Sequence, residues 1–199
     1  MKTLLLARFT FREARRKRMV MGVVLLSLVF LALYAWGFAS LRGNFEARAA
    51  ANARGPVEVF ASVLVLMGFY TVNFLSGVMA IFAAVGSIAT EVDAGTLQAI
   101  VPKPVARWEI VAGKWLGYAV MLGLYTALMC FAVVAIGLVV GNYTPPNWPV
   151  GSALVVLVSL MLLSVTVLGS TIFSALTNGI VVFMLYGVTL MAGVVEQVG

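Results

Sequence analysis

Few side chains in this sequence could do acid–base or metal chemistry, and their types exclude most enzyme classes. There is no histidine among the 199 residues, one cysteine and only seven acidic residues. The absence of histidine removes most zinc, haem and catalytic-triad sites. Gly113-Lys114 lacks the upstream glycine of a phosphate-binding loop and is followed by Trp115. We therefore predict a protein that is not an enzyme, with no metal site and no cofactor of its own.

Residues 91–114 contain both ionisable and helix-breaking residues and are the most informative stretch of the chain, which makes them the best candidate for a functional site. A short helix is predicted to begin near residues 93–96, and it must end before Pro102, because proline lacks an N–H and restricts its predecessor. Its apolar side chains follow helical i, i+3, i+4 spacing at Leu97, Ile100 and Val101. Two interpretations stay open: a docking helix for a soluble partner, or an amphipathic loop resting on the membrane.

The elements that must position this stretch are membrane spans. Hydrophobic residues make up 63% of the chain and charged residues 10%, whereas about 25% of a typical soluble domain is charged. Charges are absent from residues 19–41, 59–90 and 115–195, and a span needs about 20 apolar residues. Turn-forming residues at 141–149 and a weaker break at 170–179 divide the last run. The predicted fold is an all-α polytopic membrane protein with spans at about 19–41, 59–84, 115–140, 151–170 and 180–199.

The basic N-terminus predicts the orientation of these spans. With the N-terminus in the cytoplasm, ten Lys and Arg residues lie inside and three outside, as the positive-inside rule requires. Residues 1–18 are predicted to form an amphipathic surface helix, and residues 85–114 a cytoplasmic loop within the transmembrane domain 19–199. The membrane-surface anchors would be Arg8, Phe11, Arg12 and Arg15. The alternative is a basic flank with incidental periodicity. Nucleic-acid binding is disfavoured, because a basic cluster beside a span is better explained by lipid.

Residues 91–114 resemble the cytoplasmic loop of permease subunits of ABC transporters, in the type 2 exporter class. That loop has the pattern E-x-x-x-G-T-L, followed by P-V-S/T-R and E-I-x-x-G-K. The corresponding residues here are Glu91, Gly95, Thr96, Leu97, Pro104, Val105, Arg107, Glu109, Ile110, Gly113 and Lys114. Ala106 stands where Ser or Thr is usual, so an N-cap is lost. The N-terminal segment resembles the family's elbow helix, and the order of spans fits, so the resemblance covers essentially the whole chain.

The resemblance implies a permease subunit that works with two copies of a separate ABC ATP-binding subunit, which would hold ATP and Mg. A second permease subunit, expected to be an identical copy, would complete the complex in the inner membrane of a prokaryote. Closure of the ATPase pair on ATP would push the 94–101 helices and switch the permeases between inward-open and outward-open states. The residues implied in ATPase coupling are Glu91, Gly95, Thr96, Leu97, Ile100, Val101, Pro104 and Arg107.

The family's domain has six spans, with a partly inserted extracellular element between the fifth and the sixth. This sequence ends at Gly199, soon after Glu196-Gln197, where that element would begin. We expect the C-terminal end to be missing, and a five-span variant is the alternative.

No ionisable side chain lies deep in a predicted span, which disfavours proton-coupled carriers and ion channels. Two rival functions stay open: an ATPase-driven complex that performs assembly or signalling, and a self-sufficient carrier or channel fragment. Asn73 is the polar residue that would be costliest to expose to lipid. It is therefore predicted to face another helix or a cavity, and it is the candidate polar residue of a cargo path. A mainly apolar lining of that path would suit a hydrophobic or amphiphilic cargo.

Overall fold

A computed structural model describes residues 18–49, 55–89, 107–141 and 143–198. These residues form five α-helices and no strand. The helices are α1 Arg18–Ala49, α2 Gly55–Ala84, α3 Arg107–Gly141, α4 Trp148–Ile172 and α5 Ala175–Val198. Each contains a stretch long and apolar enough to cross a membrane, so the predicted all-α polytopic membrane fold is confirmed. The predicted surface helix lies outside the described residues apart from Arg18, and the division of the chain into domains stays a prediction.

The helices form because the bilayer offers no water to pair with backbone N–H and C=O groups, which must therefore bond within the segment. The connection between α3 and α4 lies where the residue types at 141–149 predict a turn. Asn147 takes a left-handed conformation with φ of 57° just before α4, and Pro149 lies in the first turn of that helix, where a missing N–H is tolerated. Helix α4 therefore begins at Trp148, before the predicted limit at residue 151.

Helices α4 and α5 are joined by only Phe173 and Ser174 and form a hairpin. The Phe173 N–H donates to the Gly169 carbonyl at 2.9 Å, which closes the last turn of α4. The Ser174 hydroxyl then accepts the Thr177 N–H at 3.4 Å at the start of α5. The weak break expected at residues 170–179 is thus a two-residue interruption, and α5 begins at Ala175, before the predicted limit at residue 180.

Helix α2 is the central helix of the bundle. Half of the apolar, membrane-spanning stretch of α2 (50%) is buried, against 17% of the corresponding stretches of α1 and of α5. One core cluster joins α2 to α1, α3 and α4 through Met79, Ala80, Val20, Tyr118 and Leu163, among others. A second cluster packs the other end of α2 against α1 and α3. The remaining helices present much of their apolar surface outward, as spans in contact with lipid do.

Close approach between helices depends on glycines at particular positions. A Cβ on Gly77 of α2 would lie 2.4 Å from the ring of Tyr186 on α5. A Cβ on Gly141 would lie 2.4 Å from Phe38, and one on Gly137 would lie 3.0 Å from Val65. The pair Gly137–Gly141, whose small-x-x-x-small spacing predicts close packing, is therefore a site of close helix contact.

Polar side chains within the spans divide between two roles. The hydroxyl of Thr126 on α3 donates to that of Ser76 on α2 at 3.1 Å, and both residues are fully buried. Ser27 on α1 bonds to the Tyr125 hydroxyl on α3. Others donate to the carbonyl one turn back in their own helix; these are Thr71, Ser159, Ser164 and Thr166. Some polar residues thus bond between helices and others within their own helix, and Ser27 and Ser164 do both.

The contact between Gly77 and Tyr186 predicts the effect of one methyl group. Gly77→Ala should lower the free energy of unfolding by about 1–3 kcal/mol, because the added Cβ overlaps a buried ring. Thermal unfolding in detergent micelles measures the change. Gly187→Ala on α5 is the matched control, because its Cβ would meet no atom within 4 Å. In a Tyr186→Leu background the cost of Gly77→Ala should largely disappear. Equal melting temperatures for the two alanine variants would contradict the packing described.

Candidate functional site

The residues predicted to couple the chain to an ATPase fall mostly outside the described part of the chain. Those outside it are Glu91, Gly95, Thr96, Leu97, Ile100, Val101 and Pro104, together with the predicted membrane anchors Arg8, Phe11, Arg12 and Arg15. Arg107 is the first residue of α3, where a new helix was expected to start. The structure therefore describes the two ends of the 85–114 segment, namely residues 85–89, which we call the stem, and the start of α3.

The stem is a buried turn that continues from α2. The Val85 N–H donates to the Ile81 carbonyl at 2.8 Å, and the Ser87 N–H donates to the Ala84 carbonyl at 3.0 Å. Ser87, Ile88 and Ala89 are 3%, 8% and 7% exposed. A buried backbone that has left its helix needs partners for the N–H and C=O groups that the helix no longer pairs. Three side chains, one from each of α3, α4 and α5, meet this need.

The first is Lys114 of α3, which is 5% exposed and donates from Nζ to the Ser87 carbonyl. Removing an ammonium group from water is unfavourable unless it gains acceptors. The position just beyond the C-terminus of α2 supplies them, since the helix dipole and the last carbonyls there favour a cation. Lys114 thus ties the start of α3 to the end of α2, which holds the two ends of the 85–114 segment together.

The second is Ser170 of α4. Its hydroxyl oxygen accepts the N–H groups of Ile88 at 3.0 Å and of Ala89 at 3.2 Å. Ser170 is 2% exposed, so these two donors are paired where water does not reach them. One side chain of α4 therefore fixes the point at which the stem leaves the bundle.

The third is Asn178 of α5, which is fully buried. Its Nδ2 donates to the Val85 carbonyl of the stem and to the Thr166 carbonyl of α4, both at 3.0 Å. Gly169 makes room for this amide, because a Cβ there would lie 2.1 Å from Asn178 Oδ1. On the other face, a Cβ on Gly179 would lie 3.1 Å from Val85. The amide therefore occupies a close-packed junction between the stem, α4 and α5.

Asn73, the candidate cavity residue, is half-buried on α2 and lines a pocket of about 200 Å³ between α2 and α4. The rest of the lining is mainly apolar and consists of Leu66, Phe69, Tyr70, Leu154, Val155 and Val158. The Asn73 carbonyl accepts the Tyr186 hydroxyl at 3.0 Å. Its role as a polar residue of a cargo path stays a prediction.

The arrangement at the stem consists of hydrogen bonds between helices. Among the described residues no group of three His, Cys, Asp or Glu side chains comes together. The cysteine at position 130 is buried in the core among α2 and α3 side chains. These hydrogen bonds join the stem, which continues from α2, to α3, α4 and α5.

Sequence reasoning missed three residues of this site. Lys114 was recognised as part of the motif but was given no role, and Ser170 and Asn178 were regarded only as part of a weak break. A usable signal was present for Asn178, because a buried amide in a run without charges must find partners. Nothing in the local pattern identifies those partners, since Val85 lies 93 positions away along the chain.

The paired amides of the stem give a direct test of the Ser170 contact. Ser170→Ala should raise hydrogen exchange at the Ile88 and Ala89 amides by about 2- to 10-fold, because each loses its acceptor. Exchange of a peptide that covers residues 85–89 is measured by mass spectrometry. The control is Ser164→Ala on the same helix, whose hydroxyl accepts the Trp115 Nε1–H at 3.0 Å and does not contact the stem. The assignment fails if the two variants change exchange in this peptide equally.

Comparison with known families agrees with the pattern in residues 91–114. The family described as ABC-2 family transporter protein matches residues 4–198, which include all five helices, the stem and the whole motif. No curated protein matches the chain. Members of this family are membrane components that are not themselves catalytic. The chain therefore belongs to the ABC-2 transporter family and is a permease component of an ABC transporter.

Proposed function

We propose that the chain is the membrane-spanning subunit of an ATP-driven exporter, and that the 85–114 segment receives the movement of the ATPase. Family membership implies an ABC ATP-binding subunit as partner. The observation that carries the proposal further is the stem. Its backbone is bonded to Lys114, Ser170 and Asn178, so a displacement of the segment is passed to several helices at once.

In this proposal two copies of the ATP-binding subunit bind ATP and Mg and close on each other. Each pushes the 94–101 helix of one permease, in contact with Leu97, Ile100 and Val101. Glu91, Gly95, Thr96, Pro104 and Arg107 would complete the coupling element. ATP binds the closed ATPase pair more tightly than the open one, and this difference in affinity biases the permeases toward one state. A second permease, an identical copy of this chain, completes the complex.

The proposed location is the cytoplasmic membrane of a prokaryote, with the N-terminus and the 85–114 segment inside. The distribution of Lys and Arg supports this orientation, and Arg8, Phe11, Arg12 and Arg15 would bind the inner lipid surface. The proposed cargo is hydrophobic or amphiphilic, because the pocket beside Asn73 is lined mainly by apolar side chains. A transport assay in which only small hydrophilic ions move would exclude such a cargo.

The docking role of the 94–101 helix predicts the effect of two charges. Leu97→Asp combined with Ile100→Asp should reduce recovery of the ATP-binding subunit at least about tenfold, because apolar anchors at an interface carry most of its affinity. The tagged chain is purified in mild detergent from its native host, and the co-purifying proteins are quantified. Gln98→Asp combined with Ala99→Asp is the matched control, because it adds the same charge on the opposite face of the predicted helix.

The outcomes separate the rival functions. Loss of the ATP-binding subunit in the first double variant and its retention in the control would support the coupling assignment. Equal recovery with both would contradict it. An unmodified, folded chain that purifies without any ATP-binding subunit would favour a self-sufficient carrier. A stable complex that hydrolyses ATP and moves no cargo would favour assembly or signalling.

A further inference from the structure

Helix α5 is attached to the bundle by a narrow stripe of residues. Within the residues whose side chains the structure describes, the buried positions of α5 are Asn178, Val182 and Tyr186, which recur at i, i+4 and i+8 on one face. The other described positions of α5 are half-buried or exposed. Val182 and Tyr186 pack against Ile81 of α2 in a cluster of their own. A contact this narrow leaves α5 free to move unless polar bonds hold it.

Two hydrogen bonds join the ends of this stripe to backbone carbonyls, one in α2 and one in the stem. The Tyr186 hydroxyl donates to the Asn73 carbonyl at 3.0 Å. The Asn178 amide donates to the Val85 carbonyl at 3.0 Å. The first bond is made within α2 and the second within the stem. The Asn178 bond is therefore the one that a displacement of the 85–114 segment reaches first.

Chain connectivity makes this bond important. The 85–114 segment is covalently continuous with α2 and α3, and the movement of α4 and α5 with it depends on noncovalent contacts. Asn178 donates to the stem and to Thr166 of α4 with the same amide nitrogen. Ser170 also bonds α4 to the stem, and Asn178 is the residue through which α5 bonds to both the stem and α4.

The junction is also close-packed and incompletely paired. Asn178 Oδ1 and the Ser87 hydroxyl are buried and accept no hydrogen bond from the described residues. A buried polar atom without a partner weakens the arrangement that contains it. The contact is thus specific in geometry, through Gly169, and is less stable than a fully paired amide would be.

From these observations we propose that Asn178 is a positioning residue that makes α5 move together with the coupling segment. The inference rests on the proposed function, because it names the route by which movement of that segment reaches α5. Without the Asn178 bond, an ATP-driven displacement would still reach α3 through Lys114 and the end of α4 through Ser170, and α5 would lose its hydrogen bond to the stem.

The test uses the complete complex of the chain with its ATP-binding subunit in lipid nanodiscs. A bimane fluorophore is attached at one of two introduced cysteines, Met184→Cys on α5 or Trp108→Cys at the start of α3. These positions are 66% and 69% exposed, whereas the native cysteine at position 130 is fully buried. The emission shift on addition of ATP and vanadate is recorded at each position, first without and then with Asn178→Leu. We expect a shift at both positions in the starting complex and its loss at position 184 alone in the variant.

A second variant and two controls separate a positioning role from a merely structural one. Gly169→Ala should also abolish the shift at position 184, because its Cβ overlaps Asn178 Oδ1 and displaces an amide that is still present. Gly187→Ala introduces a methyl group on α5 where no atom lies within 4 Å. Thr189→Val removes a hydroxyl of α5 that donates to carbonyls of its own helix. Both controls should keep both shifts.

The outcomes for the inference and for the proposed function are distinct. Persistence of the shift at position 184 in both Asn178→Leu and Gly169→Ala overturns the inference and leaves the proposed function standing. A shift at position 108 with none at 184 in the starting complex also overturns it. Failure of the unmodified chain to bind an ATP-binding subunit, or absence of any shift at position 108, overturns the proposed function itself. If Asn178→Leu does not assemble, the Gly169→Ala variant decides between these outcomes.

Discussion

Backbone groups in a bilayer have no water to pair with, and the structure depends on how the chain meets this constraint where a helix stops. The problem is most acute after Ala84, because the central helix ends there while the chain stays buried. Carbonyls and N–H groups of the stem are then paired by side chains from other helices, with Lys114 donating and Ser170 accepting. The rest of the bundle is arranged so that these side chains reach the stem. Tight packing at glycines brings the helices close enough for such bonds to form.

The same solution explains why a structural requirement and a functional one coincide at this place. A backbone segment that is satisfied only by neighbouring helices cannot shift without shifting those helices or breaking the bonds. In the proposed function, the segment that receives the movement of the ATPase needs this property. The stem has it through its bonds to Lys114, Ser170 and Asn178.

The sequence predicts much of this fold because the bilayer makes the pattern simple. Gaps between charges locate three apolar runs, and the turn residues at 141–149 and the weaker break at 170–179 divide the last run into α3, α4 and α5. The family resemblance was also correct, because its motif is local and lies between the second and third spans. Helix α5 begins at Ala175, ahead of the predicted span at 180–199, since Ser174 restarts the helix at once and hydropathy does not show so short an interruption. The partners of Asn178 could not be predicted, because hydrogen bonds to a backbone carbonyl 93 positions away leave no local pattern.

The two-residue connection between α4 and α5 has a consequence for how the protein is made. Neither helix carries a charge up to Val195, and a connection of this length keeps the second helix beside the first. The Asn178 amide can bond to the Thr166 carbonyl inside this hairpin, without any contribution from α2. An amide that is already paired is less unfavourable to bury in hydrocarbon than a free one. The hairpin is thus suited to enter the membrane as one unit. Its hydrogen bond to the stem forms when the helices assemble.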